Sequence, residues 1–344
     1  MGHAVPIRVV KVEVSMIIRA RPFGATLTLL IAAVAFPVAA GTEPPPYLTH
    51  WGTVGSGNGE FRRPFGAAAD AGGNVYITDR ENHRVQKFTV SGTFLLEWGS
   101  LGSGPGQFVE PFGIAIDAFG NVYVADTSNH RIEKFSSMGT YLAEWGSFGP
   151  ANGQFDAPVG VATDADGNVY VTDANNSRIQ KFDGTGTYLA QWGSIGDAPG
   201  QFRDPYGIAC DGDGNVYVVD TGNNRIQSFT SSGAYLSQWG LLGSADGEFN
   251  APVGIAADVL GNIYVADAHN QRVQQFTTVG TYLTQWGSPG SGDGEFSEPI
   301  GVTVDSAGNV YVVEANNNRI QKFGDLPTPA SSTTWGQVKD RYRK

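Results

Sequence analysis

The asparagine of a Gly-Asn-Val/Ile-Tyr string falls at Asn74, Asn121, Asn168, Asn215, Asn262 and Asn309, each 47 residues after the last. Pro64, Pro111, Pro158, Pro205, Pro252 and Pro299 keep the same interval, as do Arg84, Arg131, Arg178, Arg225, Arg272 and Arg319. No insertion interrupts the series. A 344-residue chain would otherwise suggest two or three domains, but a fixed period of this size means one supersecondary unit repeated six times.

Within one unit, residues 112–117, 122–126, 131–135 and 141–145 are short β-prone runs separated by Gly, Asn, Asp and Ser clusters, the pattern of a four-stranded antiparallel meander. The second run shows little polar alternation (Val169, Tyr170, Val171, Thr172), as expected of a strand covered on both faces. One such sheet cannot bury both faces alone. Short sheets stacked around an axis can, so the expected architecture is all-β, a six-bladed β-propeller of four-stranded antiparallel blades. The string Tyr-Leu-Thr-His-Trp at 47–51 repeats the fourth-strand motif of 141–145, and the last unit has only three strands of its own. The N-terminal strand is therefore expected to complete the sixth blade and close the ring.

The ends lie outside the period. Residues 27–40 are almost wholly apolar or small, follow Arg19 and Arg21, and end Val38-Ala39-Ala40, so residues 1–40 read as a signal peptide, with Met16 an alternative start. An uncleaved anchor is the other reading, and both place the repeats in a secreted, periplasmic or envelope setting. Residues 41–46 form a short linker and 47–324 the propeller, and residues 325–344 are a Pro/Ser/Thr linker with a short basic tail. Contact with a membrane is expected only through the signal segment or this tail.

Net charge is −11, and without the four basic and one acidic residue of 1–40 the balance is 18 against 32, or −14. Nucleic acid is disfavoured as a partner, because phosphate binding needs clustered Lys and Arg to displace counterions. Cys210, the only cysteine, excludes an intrachain disulfide.

The run Asp-Thr-Ser-Asn-His-Arg-Ile-Glu-Lys-Phe at 126–135, following Gly-Asn-Val-Tyr-Val-Ala, resembles the NHL repeat, with Ile or Val where that family's name has Leu. The resemblance spans 47–323 and implies a six-bladed propeller, in agreement with the count above. It implies no single activity, since the fold carries enzymes and binding proteins alike.

Most polar groups recur too regularly to be a site. Asp79, Asp126, Asp173, Asp220 and Asp267, with Glu314, each precede a repeat arginine by five residues, which points to an ion pair within each blade. The series Asp70, Asp117, Asp164, Asp211, Asp258 and Asp305 precedes Gly-Asn and reads as hairpin-turn chemistry. The runs 164–168 and 211–215 lack the position-six glycine and position-twelve glutamate of an EF-hand loop. No nucleophile elbow or phosphate loop is present, and no cofactor is implied. Some propeller lyases resembling this family hold an axial metal through histidines. The candidates here are His83 and His130, equivalent in adjacent units, and His269 at a different repeat position, one short in register of the three ligands of a catalytic zinc.

What varies on the constant frame is the pair before each repeat proline: Arg62-Arg63, Val109-Glu110, Asp156-Ala157, Arg203-Asp204, Asn250-Ala251 and Ser297-Glu298. These pairs lead into the innermost strands and should ring the channel mouth on the loop face, with Arg80 beside them. Arg62, Arg63, Arg80, Glu110, Arg203, Asp204 and Glu298 are the expected ligand-binding residues, and a protein, peptide or glycan the expected partner. A lyase or hydrolase with an axial metal, and a passive envelope protein, are the competing readings.

Overall fold

The computed structural model describes residues 43–324. The expected signal segment and C-terminal tail lie outside the described residues. Blade 1 comprises Pro64–Ala69, Val75–Asp79, Arg84–Phe88 and Phe94–Trp98, from the axis outward. The same order repeats through blade 5. Blade 6 has Pro299–Val304, Val310–Glu314 and Arg319–Phe323, and Tyr47–Trp51 pairs antiparallel with the last of these. The ring is closed as the sequence leads one to expect. Innermost strands begin at the repeat proline and end one residue earlier than expected (Pro111–Ile116), because Asp117 turns out of the strand to cap the hairpin.

Second strands are buried along their whole length, so both blade faces are covered by neighbours. Each inter-blade core is a repeated cluster, such as Tyr76, Val85, Phe108, Val122 and Phe135 between blades 1 and 2. Hairpin turns are tied by the aspartate series: Asp70 Oδ1 accepts from the amides of Gly72 and Asn74, both at 2.9 Å, and Oδ2 from the Tyr76 hydroxyl at 3.1 Å.

The second aspartate series does the framing at the other face. Asp79 is fully buried; its Oδ2 accepts from Arg84 Nε at 2.8 Å and Asn82 Nδ2 at 2.9 Å, and its Oδ1 from the Arg62 amide at 2.8 Å. Arg84 in turn donates to the carbonyls of Ser56, Gly57 and Glu60, locking the incoming loop. The lysines act between blades at the hairpin face. Lys87, Lys134, Lys181 and Lys322 each donate to a carbonyl one blade onward, at 3.2, 2.7, 3.1 and 3.2 Å, and lie over a tyrosine ring.

One residue breaks the frame. Gln86, Gln180, Gln227, Gln274 and Gln321 each donate Nε2 to a loop carbonyl and to the buried carboxylate of their own blade. Blade 2 has Glu133 there, fully buried, with Oε2 accepting from the Gly106 amide at 3.0 Å and Oε1 against the guanidinium of Arg131, so neither oxygen repeats the two donor bonds of the glutamines.

Candidate binding site at the mouth of the central channel

The axial channel is pinched by the glycines of the innermost strands. A Cβ at Gly66 would come within 2.5 Å of the Phe112 carbonyl oxygen, and only about 60 Å³ remains open at this waist. Toward the hairpin face lies a small chamber of about 160 Å³ that includes Cys210, whose thiol is pushed up by burial. Toward the loop face lies a second chamber of about 270 Å³, lined by Arg63, Phe65, Arg80, Phe112, Tyr206, Val253, Glu298, Ile300 and Ala315.

Two turns per blade aim side chains at this mouth, and both use left-handed backbone. The residues before the prolines, Arg63, Glu110, Ala157, Asp204, Ala251 and Glu298, have φ of 46–57°. So do the residues closing the link between second and third strands, His83, His130, Ser177, Asn224, Gln271 and Asn318, at 52–56°. Such backbone is unfavourable for side-chain-bearing residues. Here the two positions hold each other across blade boundaries. His83 Nδ1 accepts from the Glu110 amide at 3.1 Å, His130 Nδ1 from Ala157 at 3.2 Å, Asn224 Oδ1 from Ala251 at 2.8 Å, Gln271 Oε1 from Glu298 at 2.7 Å, and Asn318 Oδ1 from Arg63 at 2.9 Å. Histidine and amides interchange at five of the six positions because each offers an acceptor of suitable reach, and the sixth has the shorter Ser177.

The site candidates therefore divide. Arg63, Arg80 and Glu298 line the chamber, and Glu110 joins it through Arg80 at 2.7 Å. That guanidinium holds Glu110 below the usual carboxylate range. Arg63 pairs with Glu298 at 2.8 Å. Asp204 is exposed at the rim and adds to the rise in the Tyr206 hydroxyl pKa that burial begins. Arg62 and Arg203 point outward, exposed and without an ion-pair partner among the described residues. His83 and His130 are inter-blade pins with Nδ1 occupied, while His269 sits exposed on the short turn Ala268–Asn270 of blade 5. Among the described residues, no three His, Cys, Asp or Glu side chains are grouped to hold a metal ion.

Sequence reasoning passed over the aromatic wall. Phe65, Phe112 and Tyr206 follow the repeat proline, where the other blades have Val159, Val253 and Ile300. The Phe65 and Phe112 rings are 4.3 Å apart, and the Arg80 guanidinium lies 4.6 Å over Phe112. The comparison that finds them is available in the sequence: large rings at three of six equivalent positions make this end of the channel asymmetric.

The NHL repeat profile matches six segments, 61–88, 108–135, 155–182, 202–229, 249–276 and 296–323. The chain belongs to the NHL-repeat family of six-bladed propellers. Each NHL segment runs from the buried loop phenylalanine to the end of the third strand, so the left-handed mouth positions fall inside the family unit. The fold supports a binding or scaffold module, and enzymes share it. Among curated proteins, lin-41 of Caenorhabditis elegans is 49% identical over 49 residues, 14% of this chain and 4% of that protein's length. Among solved structures, a streptogramin B lyase superposes with a TM-score of 0.58 at 18% identity, covering 80% of this chain and 96% of the lyase. The nidogen/laminin complex contains a chain with a TM-score of 0.52 at 21% identity, covering 70% of this chain and 84% of that one. At these identities the structures share the fold alone with this protein.

Proposed function

We propose that this NHL propeller is an exported binding module that holds a protein partner on its loop face, around the channel mouth. The observation that carries the reading is the distribution of cations. Residues 43–324 contain fourteen Lys and Arg. Ten of them are the frame arginines and the four inter-blade lysines, and the remaining four, Arg62, Arg63, Arg80 and Arg203, all stand at the loop-face mouth of an otherwise acidic protein. Two of these, Arg80 and Arg63, are paired with Glu110 and Glu298, and two, Arg62 and Arg203, have no ion-pair partner among the described residues. The cations spared from the frame are thus at one place and suit a partner surface that carries acidic groups.

Two further features support it. Five of the six loops entering a blade carry an exposed large apolar residue at the same repeat position (Val54, Leu101, Phe148, Ile195 and Leu242), and the sixth has Pro289 there, which surrounds the charged mouth with apolar contact points. Tyr47 and Phe323 pair at the hairpin face, where the Gly324 amide donates to the Pro46 carbonyl at 3.0 Å. Both described ends of the propeller thus lie at the hairpin face, opposite the loop face. The matching chain of the nidogen/laminin complex is an instance of this fold in a protein assembly.

The test is capture from envelope and secreted extracts by three immobilised forms of the protein. The first is wild type. The second carries Arg62→Asn, Arg63→Ala, Arg80→Ala and Arg203→Asn, each a residue that Asn250, Ala157 or Ala315 already supplies at the equivalent position. The third carries Phe119→Asp and Leu260→Asp on the hairpin face, the residue found at Asp166 and Asp213. A protein retained by the first and third and lost by the second is the expected outcome. Retention by the second, or loss with the third alone, would refute the loop-face reading.

A further inference from the structure

The loop-face chamber is too small for a whole macromolecule and well formed for one group of it. Its volume of about 270 Å³ lies just under the lower end of ordinary ligand pockets, about 300 Å³, so it holds a single ring or branched side chain. The waist beneath it closes the floor, since the glycine layer leaves only about 60 Å³. It is a blind pocket opening on the binding face.

Its chemistry is divided. One wall is apolar: Phe65, Phe112, Val253 and Ile300, with the Tyr206 ring beside them. The other carries Arg63 and Arg80, which are only partly spent. Arg80 uses Nη2 on Glu110 at 2.7 Å, and its Nε is buried without a hydrogen-bond partner. Arg63 uses Nη2 on Glu298 at 2.8 Å, and its Nε lies 3.9 Å from Glu81 Oε1, beyond hydrogen-bond distance. Glu110 and Glu298 keep both guanidiniums in place but cannot fill their remaining donors, because a guanidinium carries five N–H groups in a fixed fork. Stacking on Phe112 fixes the plane of Arg80, so its open donors face a defined direction. Tyr206, whose hydroxyl pKa burial lifts further above its ordinary value of 10, adds a protonated hydroxyl.

We infer that this chamber binds a carboxylate carried on a flat or branched apolar group of about one ring in size, the apolar body against Phe65, Phe112 and Ile300 and the carboxylate on Arg63 and Arg80. The inference rests on the loop-face reading above, with the group supplied by a chain terminus of the partner; a free small carboxylic acid is the alternative source of the same chemistry. None of the other blades could build this pocket, since Ala174, Ala268 and Ala315 or Thr127 and Thr221 stand where blade 1 has Arg80.

The experiment is titration of the full-length protein with 3-phenylpropanoate and with its neutral amide, followed by ligand-observed NMR. Acetyl-Gly-Gly-Phe with a free carboxyl terminus and the same peptide amidated form a second arm. Wild type is expected to prefer each acid over its amide by about tenfold or more, as charge-assisted hydrogen bonding to arginine requires. Arg80→Ala should abolish that preference, and Phe112→Val, the residue carried by Val159 and Val253, should weaken acid and amide alike. Unchanged thermal unfolding shows that both variants fold. Equal binding of acid and amide, no binding of any probe, or an undiminished preference in Arg80→Ala would overturn the inference. If the peptide acid binds and the small acid does not, the source is a chain terminus; the reverse assigns the pocket to a free small molecule. Probe binding without any partner captured would sink the loop-face reading and leave the pocket standing, while capture without probe binding would do the opposite.

Discussion

Replacing Asp220 by Ala is expected to lower the unfolding free energy by about 3–5 kcal/mol, the usual cost of stranding one half of a buried ion pair. Asp220 is fully buried and accepts four hydrogen bonds, from the Arg203 amide at 2.7 Å, Asn223 Nδ2 at 2.9 Å, Arg225 Nε at 2.7 Å and Gln227 Nε2 at 3.1 Å. Without it, the Arg225 charge stays in a pocket furnished only with the carbonyls of Asp197, Ala198 and Gln201 and the side chain of Gln238. The loss also reaches the binding face, because the Arg203 amide is released just before the left-handed Asp204. Urea titration measures the effect. Asp220→Glu should cost much less, since Glu314 does the same work in blade 6 with Nε of Arg319 at 2.6 Å. A loss below about 1 kcal/mol for Asp220→Ala would show that the pair contributes no more than an exposed one.

Glu133→Gln is expected to stabilise the protein, and to do so increasingly as pH rises. Burial pushes the Glu133 carboxyl up to about 8, with the charges of Asp126 and Glu144 adding to the rise and that of Arg131 opposing it. In the other blades the matching atom is an amide donor. Blade 2 presents an oxygen instead, which meets the Arg131 guanidinium and feels the like charge of Asp126, and only a protonated carboxyl could donate as the amide does. The sign follows from the two states. The folded protein keeps this proton up to about pH 8, while the unfolded chain releases it near the ordinary glutamate value of 4.5. Stability from this group is thus complete below about pH 4.5 and is lost as pH rises to about 8, at up to about 1.4 kcal/mol per pH unit. Gln at 133 removes that slope. The variant should gain about 2–4 kcal/mol over wild type by pH 8, part of the full linkage being absorbed by local relaxation, and little at pH 4.5. Parallel pH profiles for the two proteins would rule out a proton held at Glu133.

The frame was legible in the sequence because a strict period separates what every blade needs from what one blade has. Asp70 and its equivalents, Asp79 with Arg84, and the closing strand at 47–51 were all readable from spacing, and the hydrogen bonds place them as turn caps, buried ion pairs and ring closure. The mouth was legible only in part. The variable pairs were found, but not which member faces inward. That depends on left-handed backbone at Arg63, Glu110, Asp204 and Glu298, and Arg and Glu, unlike Asn, Asp and His, do not signal that conformation in a sequence. Phe65, Phe112 and Tyr206 were hidden because an apolar residue after the proline is also what a core strand requires. Glu133 was hidden by its likeness to a surface glutamate, though its five glutamine counterparts stand at the repeat interval.

The most direct test of the account is hydrogen–deuterium exchange on the protein with and without the partner that it captures. Binding at the loop face predicts slowed exchange in the loops between blades, residues 99–110 and their equivalents, and around residues 80–83, with the hairpin turns at 70–74 and 117–121 unchanged. Protection confined to those hairpin turns would place the partner on the opposite face and contradict the assignment of the four arginines to recognition.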